Sequence, residues 1–172
     1  MEADEFLRKV AEGQKVSHQL TLEAVHLAVA ALRQIKLPKA RQVDIDMRGA
    51  NLTLADFSES RLTRVQLRGA HLFRANFSKA VMVGVDFSGA NLHGANLENA
   101  NLSNIDLRAV HLTRANLRGA NLSGATLRGA HLTEANFCNA NLAGADLTEA
   151  ILSRTDFAGA NLRDVKWPDY RD

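Results

Sequence analysis

Cysteine occurs once, at Cys138, and proline only twice, in a chain of 172 residues. A single thiol excludes an intrachain disulfide and fits a reducing compartment. Aromatic residues are 5% of the chain, and the 46% hydrophobic content is mostly Ala and Leu. Neither charge dominates: 21 basic residues against 19 acidic ones give +2. On net charge this excludes both a strongly acidic nucleic-acid mimic and a polycationic nucleic-acid coat. No apolar run approaches the roughly 18 residues of a membrane span. The opening, Met1 to Glu5, is acidic, which argues against a secretory leader. The length fits one domain, and the expected location is cytoplasmic.

What is present is a repeat. Ala90-Asn91-Leu92-His93-Gly94 is followed by Ala95-Asn96-Leu97-Glu98-Asn99 and Ala100-Asn101-Leu102-Ser103-Asn104. The unit is A-(N/D)-(L/F)-x-x, and residues 45–169 hold 25 units without insertion. Every position ending in 2 or 7 from Met47 to Trp167 is Leu, Phe, Met or Trp. Every position ending in 0 or 5 from Ile45 to Val165 is Ala, Ser, Thr, Val or Ile. A period of five suits neither regular element. On a helix it advances about 500° and the leucines wander; on a straight strand alternate leucines change face. Both sites point inward only if the chain turns a corner in every unit, which makes a coil with short flat sides.

The departures from the unit count the sides. Ile45, Val65, Val85 and Ile105 replace Ala at intervals of 20. Phe57, Phe77, Phe137 and Phe157 are separated by multiples of 20, although Phe87 breaks that series. Four units per turn, a square β-solenoid of about six coils, follows. The pattern resembles the pentapeptide-repeat family. That resemblance implies a right-handed quadrilateral β-helix, an all-β solenoid. Leu52, Phe57, Leu72, Phe77, Leu92, Leu112, Phe137, Phe157 and Trp167 are its expected core.

Residues 1–44 read as an α-helical N-terminal cap, 45–169 as the β-helix and 170–172 as a tail. Within the cap, Asp4 to Val10 reads as a short helix ended by Gly13. Leu22, Val25, Val29, Leu32 and Ile35 recur at helical spacing, giving a second helix from Thr21 to Lys36 that Pro38 stops. This segment either lids the first coil or mediates assembly. Trp167 is placed to lid the last coil, with Pro168 blunting the edge.

The outward columns are where function is sought. Arg48, Arg68, Arg108 and Arg128 form a row interrupted by Ser88, beside Asp46, Asp86, Asp106 and Asp146. Such rows either neutralise each other as exposed ion pairs or present an arginine comb to an acidic protein segment or phosphates. Arg74, Arg114 and Arg154 make a second series at corners, a candidate basic edge. Phe73, Val81 and Val83 are apolar where the unit is usually polar, marking a surface covered by the N-terminal segment or by a partner. His71, His111 and His131 share a column, which places His111 and His131 about 5 Å apart, with His93 on the same side. No Cys or carboxylate joins them, so a metal is not expected. No nucleophile elbow, phosphate loop or paired-cysteine motif is present.

The expected function is therefore a non-catalytic scaffold without cofactor, binding an unidentified protein through its outward faces. It would act as a monomer, or as a dimer through one end or the N-terminal helix. The resemblance also implies an alternative: members of the Qnr and MfpA type modulate DNA gyrase by imitating duplex DNA. That role needs an acidic rod and a C-terminal dimerisation helix, whereas residues 45–169 carry 13 basic and 12 acidic side chains and no such helix. Near-neutral balance and few exposed aromatics argue against direct nucleic-acid binding.

Overall fold

A computed structural model describes residue 5, residues 8 and 9, and residues 21–169. From residue 21 onward the backbone winds as stacked square coils of twenty residues. Each outward residue pairs in parallel with the one twenty positions later: His26 with Asp46, Ala31 with Asn51, Lys36 with Asp56, and so on to Asp146 with Lys166. Residues 21–160 complete seven turns, and 161–169 begin an eighth. Four flanks result. The first holds residues 21–25 and their equivalents every twenty residues, the second 26–30, the third 31–35 and the fourth 36–40.

The unit explains the winding. A large residue donates its N–H to the next coil, as Leu52 does to the His71 carbonyl at 2.8 Å. The residue before it donates the other way, as Asn51 does to the Ala30 carbonyl at 2.9 Å. Neighbouring coils thus satisfy the backbone polar groups that the buried stack would otherwise orphan. The corner lies between the large and small sites: Ala55 N–H donates to the Leu52 carbonyl at 3.0 Å. The third corner residue has positive φ at every such position from Ala24 to Asp164, nineteen non-glycines and ten glycines. That is a type II turn signature. Asn or Asp at the outward site reinforces it, its side-chain oxygen accepting the N–H two residues on, as Asn51 does from Thr53 at 3.2 Å.

Where the small site is Val or Ile, the corner loosens. The closing bond is 3.3 Å at Ile35, Ile105 and Val110 and 3.4 Å at Val165, against 2.8–3.1 Å at most Ala sites. Val25, Ile45, Val65 and Val85 stack in one column, and their corners make no closing bond. There the chain runs as three-residue strands: β1 (Thr21–Glu23), β2 (Arg41–Val43), β3 (Arg61–Thr63) and β4 (Val81–Val83). They pair in parallel in that order on the first flank.

The core is one stack of side chains. Leu52, Phe57, Leu72, Phe77, Leu92, Leu112 and Phe137 are fully buried, as expected. Phe57 and Phe77 stack at 4.9 Å between centroids and Phe137 and Phe157 at 5.3 Å, close to the roughly 4.8 Å between hydrogen-bonded strands. Phe157 is only partly buried. Trp167 departs from the core assignment: it is 42% exposed and packs edge-on against Phe157 at 5.7 Å, because no described coil lies beyond it.

The second helix expected from Thr21 to Lys36 does not form; these residues are the first coil. Leu22, Leu27, Leu32 and Leu37 are its large residues and are buried, with Val25 and Ile35 at small sites. Large and small sites lie three apart, so two of each imitate a helical stripe. Val29, read as part of that stripe, points outward and is 79% exposed. Pro38 sits second in the Leu37–Ala40 corner, before Lys39 at φ 58°, a position where its fixed φ is favourable. The solenoid therefore reaches back from residue 45 to at least residue 21, with seven full coils among the described residues rather than six. Glu5, Arg8 and Lys9 are helical, with Lys9 Nζ 2.7 Å from Glu5 Oε1. The rest of the helix expected over Asp4–Val10, Gly13, and the tail 170–172 lie outside the described residues.

Candidate binding face

The second flank carries the expected arginine comb, but three of its four guanidinium groups, all except that of Arg68, are already engaged. Arg48 binds Asp46 through Nε at 2.9 Å and Nη2 at 2.7 Å. Arg108 holds Asp106 in the same way, at 2.9 and 2.6 Å. Arg128 reaches Glu149 at 2.6 Å. The Arg48 hydrogen bonds hold the Asp46 carboxyl down at about 2. Asp106 is also lowered, first by its hydrogen bond from Arg108, with a smaller attraction from Arg68. This face neutralises most of its own charge, and such exposed pairs contribute little stability.

The corner series is a basic edge only in part. Glu134 stands between Arg114 and Arg154 in the same column and pairs with both, at 2.7 and 2.8 Å. Arg74 alone of the three has no carboxylate partner among the described residues. Its guanidinium lies 5.3 Å from the Phe73 ring centroid, within cation–π range. Gly94 in the next coil makes room: a Cβ there would come within 3.3 Å of Arg74 Cγ.

These residues share the third flank. Phe73 stacks on His93 at 5.5 Å with 12° between planes. His111 stacks on His131 at 4.4 Å, and burial, then the neighbouring His131, lowers its pKa. His71 lies in the His111 column, as expected from the spacing. Leu54, 42% exposed, precedes Phe73, 36% exposed. Period-20 arithmetic already places Phe73 beneath His93, a partnership the column-by-column reading missed. Val81 and Val83 lie elsewhere, in β4 on the opposite flank; Val83 is 58% exposed and Val81 half-buried. The apolar candidates thus split between two sides of the rod.

A depression of 460 Å³ at the far end is lined by Glu149, Ala150, Ile151, Leu152, Ser153, Pro168 and Asp169. Among the described residues no group of three or more His, Cys, Asp or Glu is placed to hold a metal ion. The Cys138 thiol donates to Asp156 Oδ2 at 3.0 Å, which raises its pKa and keeps it protonated. No described helix is long and apolar enough to cross a membrane.

Known proteins agree with this architecture. Pentapeptide-repeat models match eight copies over residues 44–72, 50–89, 70–108, 90–129 and 130–166. The chain belongs to the pentapeptide-repeat family. Its coil is accordingly the right-handed β-helix of that family. Among solved structures, QnrB1, a plasmid-mediated fluoroquinolone resistance protein, aligns with a TM-score of 0.57 at 22% identity, covering 87% of this chain and 81% of that one. HetL of the cyanobacterium Nostoc, a pentapeptide repeat protein involved in heterocyst differentiation regulation, is 28% identical over 96% of this chain and 94% of its own, with a TM-score of 0.39. A pentapeptide repeat protein of the Arabidopsis thaliana thylakoid lumen is 36% identical over 61% of this chain and 70% of its own, with a TM-score of 0.40. No curated protein matches the chain.

Proposed function

We propose that this pentapeptide-repeat protein is a non-catalytic scaffold that holds a partner protein along the third flank of its rod. One observation carries this reading: the third flank joins exposed Leu54 and Phe73 to an Arg74 without a carboxylate partner, while the second flank's arginine row is largely paired internally. A rigid rod with ordered outward columns suits extended recognition. Photo-crosslinking groups placed at residue 73 on the third flank and residue 103 on the first flank test it in cells of the native host. A partner captured at 73 and not at 103 supports the reading. Equal capture at both sites, or none at either, overturns it.

The gyrase-modulating alternative draws on the fold shared with QnrB1. Against it, the second flank, the richest in carboxylates, interleaves them with arginines, which spoils imitation of a phosphate backbone. Protection of gyrase supercoiling from a quinolone by the purified protein would favour it over the first reading.

A further inference from the structure

The charges are not shared evenly around the rod. Over residues 21–169 the third flank carries Arg33, Arg74, Arg114 and Arg154 against a single acid, Glu134, a balance of +3. The first flank has four basic and three acidic residues, the second five and six, and the fourth four of each. The third flank also holds four of the six histidines, which add N–H donors without adding acceptor charge at neutral pH. Glu134 is held between Arg114 and Arg154, so no free carboxylate repels an anion there. Arg33 and Arg74 have no carboxylate partner among the described residues and flank the exposed Leu54 and Phe73.

The shape of this surface selects among anionic ligands. The flank is flat and runs the length of the rod, so a ligand following it is extended. Equivalent positions two coils apart, such as His71 and His111 or Arg74 and Arg114, are separated by about 9.6 Å. A polyproline-II chain rises about 3.1 Å per residue with three residues per turn, so every third side chain returns to one side after about 9.3 Å. Carboxylates at every third residue stay in step with the donors over several coils. An apolar side chain in the same segment can rest on Leu54 and Phe73. Nucleic acid fits less well, because base binding needs open ring faces. Here the rings are stacked on one another, Phe73 on His93 and His111 on His131, and Arg74 lies against Phe73.

The geometry points to an extended acidic polypeptide segment, with Asp or Glu at every third residue and an apolar anchor, as the ligand of the third flank. This rests on the reading of that flank as the partner-binding one. The test is fluorescence anisotropy on the full chain with a labelled twelve-residue peptide carrying Glu at every third position and one Leu. A peptide of the same composition with its glutamates clustered and a twelve-nucleotide oligothymidine serve as competitors. Saturable binding is expected, weakened at least tenfold by Arg74→Glu and by Arg33→Glu and less than twofold by Arg68→Glu on the second flank. All three sites are exposed, and thermal melting of each variant checks its folding. Lack of saturable binding at low salt, equal loss with Arg68→Glu, or stronger competition by the oligonucleotide overturns the inference. The crosslinking experiment separates the two failures. A partner still captured at residue 73 with no peptide binding refutes only the ligand class; loss of both refutes the flank.

Discussion

The lower coils, residues 21–85, and the upper coils, residues 86–160, are built on one register with different materials. On the first flank the lower small sites are Val25, Ile45, Val65 and Val85, and the corners there run as open strands. The upper ones are Ile105, Ala125 and Ala145, and all three corners close, at 3.3, 3.0 and 2.8 Å. The outward site changes with them, from Thr21, Arg41, Arg61 and Val81 to Asn101, Asn121 and Asn141. The asparagines ladder between coils, Asn141 Nδ2 donating to Asn121 Oδ1 at 3.1 Å. At the positive-φ corner residue, only four of thirteen lower positions are Gly, Asn or Asp, against eleven of sixteen upper positions from 89 to 164. The lower half therefore stores more of the backbone cost that L side chains incur in this conformation. The square coil does not require the ideal unit. It requires inward large and small sites, and the size of the small side chain then sets how tightly each corner closes.

The largest effect is expected from forcing a bulky small site into a flank that has none. The fourth flank uses Ala40, Ser60, Ala80, Ala100, Ala120 and Ala140, all buried. Ala120→Leu should destabilise by about 3 kcal/mol through overpacking, read as a lowered chemical-denaturation midpoint. An unchanged midpoint would show that upper corners can open as the lower ones do.

Next comes a repair of the lower half. Gln42 fills a large site in the second coil, fully buried, with neither amide atom hydrogen-bonded. Replacing a buried unpartnered amide by an aliphatic group of similar volume removes a desolvation penalty of about 1–3 kcal/mol. Gln42→Leu should raise the melting temperature; a fall would mean that the amide has a partner in solution.

Gln42 also marks where the sequence stopped being legible. The repeat is visible from Ile45 because both inward columns run unbroken from there, and a period of twenty then fixes the four flanks and most of the core. Below it, a polar residue occupies a large site and the apolar Val29 lies outside, so the pentad is masked and a helical stripe emerges. The surface was half legible for a different reason. Columns follow from counting, so the His111–His131 neighbourhood and the row Arg48, Arg68, Arg108 and Arg128 were foreseeable. Which guanidinium each carboxylate chooses depends on side-chain reach. Glu134 bridging two coils to bind Arg114 and Arg154 turns part of an expected basic edge into an ion-pair cluster.

A smaller repair tests the backbone half of the comparison. Val29 is β-branched, has φ 58° and is 79% exposed, so it loses little packing if removed. Glycine suits the left-handed region, and the strain relieved is roughly 1–2 kcal/mol before the entropy glycine adds to the unfolded chain. Val29→Gly should stabilise by about 0.5–1 kcal/mol in urea unfolding. The same exchange at Asn139, already a residue that tolerates this conformation and one whose side chain lies over Gly159, should bring no gain. Equal gains at both sites would show that the lower half bears no special strain.

The smallest effect concerns a surface pair of the lower coils. Asp46 titrates at about 2 in the folded protein, chiefly because Arg48 donates to it, against an ordinary value of 3.8. A depressed carboxyl stabilises the fold above its unfolded pKa and loses that contribution as pH falls through the folded value. Between about pH 4 and pH 2 the fold should therefore lose the part due to Asp46. Arg48 is 61% exposed, so solvent screening keeps this to about 1 kcal/mol or less. Asp46→Asn retains the oxygen that accepts the Arg48 N–H and removes the charge. Its stability should match the parent near pH 2 and fall slightly below it at pH 6. A variant curve parallel to the parent across this range would show that the pair contributes nothing to folding.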